Sequence, residues 1–157
     1  YTISGFSGAD AKYAAVIIVQ DAGASLASNI VTTPDATSNT TASIAAITMA
    51  GAGSLDVAAL GLGGNNAGSA SNFSAWGSSL IELIDGAQDS GGSSYYAGVG
   101  IATAVRASAG LQAATSATQG FSDVNAAIRF EVPPAAALSK PLPPRRRPYR
   151  FFGGLIR

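Results

Sequence analysis

No stretch of this sequence holds an apolar stripe at helical spacing beyond two turns, whereas period-two alternation fenced by Gly, Ser, Asn or Asp returns along most of its length. That pattern is the signature of short strands joined by polar turns. "YAAVIIVQ" (13–20) is apolar on both faces, as an interior strand would be. "SIAAITMA" (43–50) and "SLDVAALGLG" (54–63) follow, parted by "GAG", which reads as a hairpin-like break. "SLIELID" (79–85) sets Glu82 and Asp85 near a polar face or an edge, and "SYYAGVGIATAV" (94–105) alternates Tyr95, Ala97, Val99 and Ile101 against Tyr96, Gly98 and Gly100. In "NAAIRFEV" (125–132) the alternation predicts Ile128, Phe130 and Val132 pointing in, with Arg129 and Glu131 pointing out. Alanine offers a helical alternative over 10–23 and 103–117, but Gly and β-branched residues interrupt both segments. Strands at intervals of about ten residues favour an all-β fold, here expected to be an antiparallel β-sandwich.

The surface of such a body is short of charge. Only 11% of the 157 residues are charged and 47% are hydrophobic, so Ser, Thr, Asn and Gly must coat what faces water; soluble domains carry roughly 25% charge. There is no Cys and no His, which removes disulfides, thiolate metal sites and the commonest general base and zinc ligand. The reading is therefore of a non-enzymatic chain with no cofactor. No apolar run reaches the 18 or so residues that span a bilayer.

The formal charge of zero conceals an imbalance. Residues 1–137 hold Lys12, Arg106 and Arg129 against all nine carboxylates, while residues 138–157 hold six basic groups and no acid. Six of the seven prolines lie at or beyond Pro133. This divides the chain into a body, 1–132, and an extended Pro/Arg-rich arm, 133–157. The prolines stiffen the arm and keep it out of any sheet centre. Its tip sets Arg145, Arg146, Arg147 and Arg150 beside Tyr149, Phe151, Phe152, Leu155 and Ile156. Guanidiniums that pair with carboxylate or phosphate, next to aromatics that fill a pocket, describe a docking peptide. An acidic neighbour, including the body of another copy in a homo-oligomer, is the first partner to consider; nucleic acid comes second and a membrane surface third.

The order of the pieces adds a resemblance. A Thr-rich strand "IVTTPDATSNTTASI" leads into "GSLDVAALGLGGNN", the Trp loop "FSAWGSSLIELID", the linker "GAQDSGGSS", the strand "YYAGVGIATAV", the segment "GLQAATSATQGFS" and a closing "DVNAAIRFEV". Over residues 1–132 this resembles a jelly-roll-like β-sandwich domain of bacteriophage virion proteins, also found in some bacterial surface proteins. The resemblance implies a structural component of a virion, an extracellular particle, acting in head decoration, a fibre or a tail, with neighbouring virion proteins as partners and no catalytic residue. In such domains "YTISGFSGAD" falls mid-domain, so the resemblance also implies strands before Tyr1 or from another chain.

Trp76 is the sole tryptophan, in a loop read together with Asn65, Asn66, Asn72 and Tyr95, with Tyr96 beside the last. Those groups could stack on a sugar ring and bind its hydroxyls, the basis of an alternative reading as a carbohydrate-binding or adhesion module. The simpler expectation is that Trp76, with Phe73, plugs one end of the body. Glu82, Asp85 and Asp89 suggest paired carboxylates for glycoside hydrolysis or calcium, but Asp85 and Asp89 read as turn residues, as do Asp10, Asp21 and Asp35. No calcium-loop spacing occurs, and "GLGGNNAG" lacks the Lys-Ser/Thr of a phosphate loop.

Overall fold

The computed structural model describes Ala15 and residues 29–64, 73–89 and 96–134. The strand expected at 13–20 lies outside the described residues apart from Ala15, as do the helical alternative at 10–23, Asp10, Asp21 and the arm beyond Pro134.

All eight regular elements are strands and no described residue is helical. β1 (Ile30–Ile44), β3 (Ser54–Gly64), β5 (Ile81–Asp89), β6 (Tyr96–Arg106) and β8 (Thr115–Val132) form an antiparallel sheet ordered β1-β8-β3-β6-β5. β4 (Phe73–Ser74) joins β8, and β2 (Ile47–Met49) pairs with β7 (Gly110–Gln112). β1 owes its extension to β-branched residues, Ile30, Val31, Thr32 and Thr33 among them. Pro34 is tolerated because β1 is an edge strand whose outer N–H groups need no ladder partner.

β1 and β8 make a long ribbon that bends halfway. Between the pairs Asp35↔Asn125 and Asn39↔Asp123, β1 advances four residues against two on β8; between Asn39↔Asp123 and Thr41↔Thr118, β8 advances five against two. Unequal advance of this kind bends a ribbon. Beyond the bend Ala42, Ile44 and Ala117 enter the same core cluster as Ala58, Leu60, Ala102 and Ala104 from β3 and β6. The distal ribbon thus packs across one face of the sheet, called here the inner face. Alanines from both sides make up about half of that cluster, with Ile44, Leu60, Leu62, Phe73 and Leu80 supplying the larger side chains.

The segment at 103–117, weighed as a helix from its alanines, is strand broken by a bend. "SIAAITMA" divides between the end of β1 and β2. The "GAG" break does not close a hairpin of its flanking strands. β2 pairs with β7, and β3 pairs with β6 and β8. Asp85 sits within β5 and not in a turn, and Asp89 ends that strand. Asp35 lies in β1, yet its carboxylate accepts the Thr37 N–H at 2.9 Å, a turn-like bond at the bulge.

The largest correction concerns β8. Arg129 and Glu131, expected to face water, are only 1% and 2% exposed, whereas Ile128 is 38% exposed. The alternation holds, but both faces are partly covered. Arg129 and Glu131 find complete sets of partners inside, while Val132, 3% exposed, and Phe130 pack in a separate cluster on the opposite face as expected.

Candidate functional site

Asp56 of β3 stands beside Glu131 in the β3–β8 ladder and is fully buried. Its Oδ1 accepts Arg129 Nε at 2.9 Å and its Oδ2 accepts Arg129 Nη2 at 2.8 Å, a two-pronged pairing of guanidinium and carboxylate. Arg106, from β6, donates to the same Oδ2 through Nε at 2.9 Å and Nη2 at 2.6 Å. The remaining prong of Arg129, Nη1, donates to the carbonyls of Ala45 and Ala113, both at 2.9 Å. Those carbonyls belong to the two chain segments flanking the distal ribbon, so one guanidinium ties the fold-over to the sheet.

Glu131 does a parallel job next door. Its Oε2 accepts Ala50 N at 2.8 Å and Asn29 Nδ2 at 3.2 Å; its Oε1 accepts Gly51 N at 3.2 Å and the Ser54 hydroxyl at 2.5 Å. This clamps the turn between β2 and β3, whose Gly53 takes a φ of 78°. Burial pushes both carboxyls up. For Asp56 the bonds and charges of Arg129 and Arg106 outweigh it; for Glu131 the Ser54 hydroxyl, the Ala50 and Gly51 N–H groups and Asn29 do so. Both therefore titrate below their ordinary values. A carboxylate saturated by donors has no lone pair to spare for a substrate, so this cluster holds the fold.

The Trp76 loop covers the inner face near β5 and β6. Phe73 is fully buried, its ring centroid 6.0 Å from that of Trp76 at a tilt of 51°. Gly100 underlies both rings, where a Cβ would collide with Phe73 and come within 3.0 Å of Trp76 Cζ2. The half-buried Trp76 donates its indole N–H to Glu82 Oε2 at 2.8 Å. Asp85 Oδ2 accepts the Phe73 N–H at 3.4 Å. Ala75, Ser78 and Ser79 hold positive φ values of 47°, 55° and 58°, a costly conformation for residues with a Cβ. Asn65, Asn66, Asn72 and Tyr95 lie outside the described residues, as do all the arm residues named above. Glu82 and Asp85 stand opposite Ala102 and Gly100 of β6, and each bonds the Trp76 loop.

The outer face of the sheet is of another character. Ile30, Thr32 and Pro34 of β1, Ile128, Phe130 and Val132 of β8, Val57 and Ala59 of β3, and Val99, Ile101 and Val105 of β6 share it, and no described position on this face of those strands is charged. Val57, Ile101 and Val132 form a small buried cluster against which Ala15 packs. Around it Ile30, Ile81, Ile128 and Val105 remain exposed, Val105 by 72%. A groove of about 440 Å³ runs between Thr32, Pro34, Ala59, Val99 and Ile128. It adjoins a second hollow that reaches Asp35, the two sharing Pro34, Gly61 and Ala126. Gly61 floors both, and a Cβ there would meet nothing within 4 Å.

Among the described residues no group of three or more His, Cys, Asp or Glu converges as a metal site, and no helix is long and apolar enough to cross a membrane. Comparison with known proteins found no matching family model, no matching curated protein and no matching solved structure.

The sequence reading missed the Asp56–Arg129–Arg106 cluster and the Glu131 clamp. The available signal was scarcity: the body holds three basic residues, and Arg129 sits inside an apolar run.

Proposed function

We propose that this chain is a non-enzymatic structural protein that assembles with copies of itself or close neighbours, as a component of a bacteriophage-like virion. The supporting observation is the outer face, uncharged at every described position of β1, β3, β6 and β8, with its open groove. Soluble monomers rarely leave large contiguous apolar patches exposed, and such patches mark interaction surfaces. In this reading the body is a jelly-roll-like β-sandwich. The arm of a neighbouring copy supplies the occupant: Tyr149, Phe151, Phe152, Leu155 and Ile156 fill the groove while Arg145, Arg146, Arg147 and Arg150 meet the acidic body and Asp35 at its rim. The virion setting rests on the resemblance of the strand and loop order, and no enzymatic role is required.

Light scattering on three proteins tests this reading: the intact chain, a chain cut after residue 137, and Gly61→Leu. The last fills the groove floor without demanding a forbidden backbone. The intact chain should form oligomers that both variants lose while keeping the same β-type circular dichroism. Unchanged assembly in both variants would sink the reading.

A second reading, a carbohydrate-binding or adhesion module, draws support from the three strained residues that present a half-buried Trp76. Its test is a glycan array. A signal that disappears in a folded Trp76→Ala protein would favour it over assembly.

A further inference from the structure

At the bend of the β1–β8 ribbon the inner face is polar. Gln119, Asp123 and Asn125 lie on it, only 2%, 8% and 6% exposed. Four of their atoms have no hydrogen-bond partner: Gln119 Oε1, Asp123 Oδ2 and both side-chain polar atoms of Asn125. Buried polar atoms are normally satisfied, and a buried anionic oxygen without a donor is especially costly. All four orphans fall within seven consecutive residues of one strand.

The ladder gathers further oxygen around them. Asn125 stands opposite Asp35 and Asp123 opposite Asn39. Asn39 Nδ2 donates to Asp35 Oδ2 at 2.9 Å, which links the two register pairs. Gln119 Nε2 donates to the Asp123 carbonyl at 3.1 Å and to the Asn39 carbonyl at 2.8 Å, so its amide is held at the same spot with Oε1 left over. Two carboxylates therefore flank the bend. The described residues offer them no cation, because Arg106 and Arg129 are both bound to Asp56. Water could satisfy the amides but would leave the charge uncompensated.

We propose that Asp123 Oδ2, Asn125 Oδ1 and Gln119 Oε1 are ligands of a hard cation of the calcium class, with Asp35 as a neighbouring anion. Calcium accepts carboxylate and amide oxygens in irregular geometry and keeps water ligands, and those waters give Asn125 Nδ2 an acceptor. With so few carboxylates the affinity belongs in the range of about 0.1–1 mM seen for weakly charged sites. Bound there, the ion would brace the bend that folds the distal ribbon over the sheet.

The experiment uses the full chain dialysed against chelator, titrated with calcium chloride by calorimetry and followed by thermal melts. One-site heat should appear, and the melting midpoint should climb with the logarithm of calcium concentration. Asp123→Asn should abolish both responses, and Asn125→Ala should weaken binding at least tenfold. Glu82→Gln, whose carboxylate is bonded to Trp76 on β5, should leave them intact. If Asp123→Asn fails to fold, Asn125→Ala carries the decision. A folded chain with neither heat nor midpoint shift up to about 10 mM calcium, or a response that survives both ligand substitutions, overturns the proposal.

Discussion

The two faces of the central sheet hold opposite solutions to one shortage. The inner face buries nearly all the ionic chemistry described: Asp56 bonded to two arginines, Glu131 accepting four hydrogen bonds, and a polar bend. No described position of β1, β3, β6 or β8 on the outer face is charged, and Ile30, Ile81, Val105 and Ile128 remain in contact with solvent. Usual practice would invert this, with charge outside and apolar groups inside. The inversion follows from the alanine-rich core. Alanine buries little area, so hydrophobic burial alone gives the inner contact limited strength and no unique register. A two-pronged Arg129 that also reaches Ala45 and Ala113 can be satisfied in one arrangement only. Specificity of the fold-over comes from polar geometry, and apolar area is left for the other side.

The sharpest way to break this contrast is to remove the inner anion. Asp56→Ala strands Arg129 beside Arg106 in a buried site, and denaturant unfolding should show a loss of about 3–5 kcal/mol. Glu131→Gln keeps the shape but turns an amide N–H toward donors, for a loss of about 1.5–3 kcal/mol by the same measurement. Gly100→Ala drives a methyl against Phe73 and Trp76, with an expected cost of about 1–3 kcal/mol and a shifted tryptophan emission.

Titration reads the inner face as a whole. Asp56 and Glu131 fall below their ordinary values of 3.8 and 4.5. Their folded pKa values lie under the unfolded ones, so the stability they contribute is complete above the unfolded values and is lost as pH drops through the folded ones. The melting midpoint should hold near neutrality and begin to fall below about pH 4.5, with a shallower acid limb in Glu131→Gln. On the outer face Val105→Lys should change unfolding free energy by less than about 0.5 kcal/mol, since the site is already in water. A large loss of stability there would mean that this face is covered within the single chain.

Much of the fold was legible in the residues, and for a local reason. The bounds of β1 coincide with the Thr-rich segment, and β3, β5 and β6 fall on the alternating runs, because strand formation answers to β-branching and to glycine and serine at its ends. Glu82 and Asp85 were expected on a polar face or an edge, and β5 is one of the two edge strands of the sheet. What periodicity lacks is an absolute direction. Alternation in 125–132 marks two faces without saying which is inside, and in a sheet with apolar residues on both sides the more hydrophobic set is an unreliable guide.

The candidate sites divide the same way. Trp76 stood out in the sequence as a lone large aromatic, and its bond to Glu82 is local, but its seat on Gly100 depends on β6 being laid beneath the Trp76 loop. Asp56, Arg106 and Arg129 look like three scattered charges until β3 is laid between β6 and β8. By itself the sequence determined that the described part of the body is antiparallel strand, since no helical stripe exists there to bury. Only the tertiary structure decided which charges go inside, because a buried ion is stable or ruinous according to partners up to 84 residues away, and no local pattern records who those partners are.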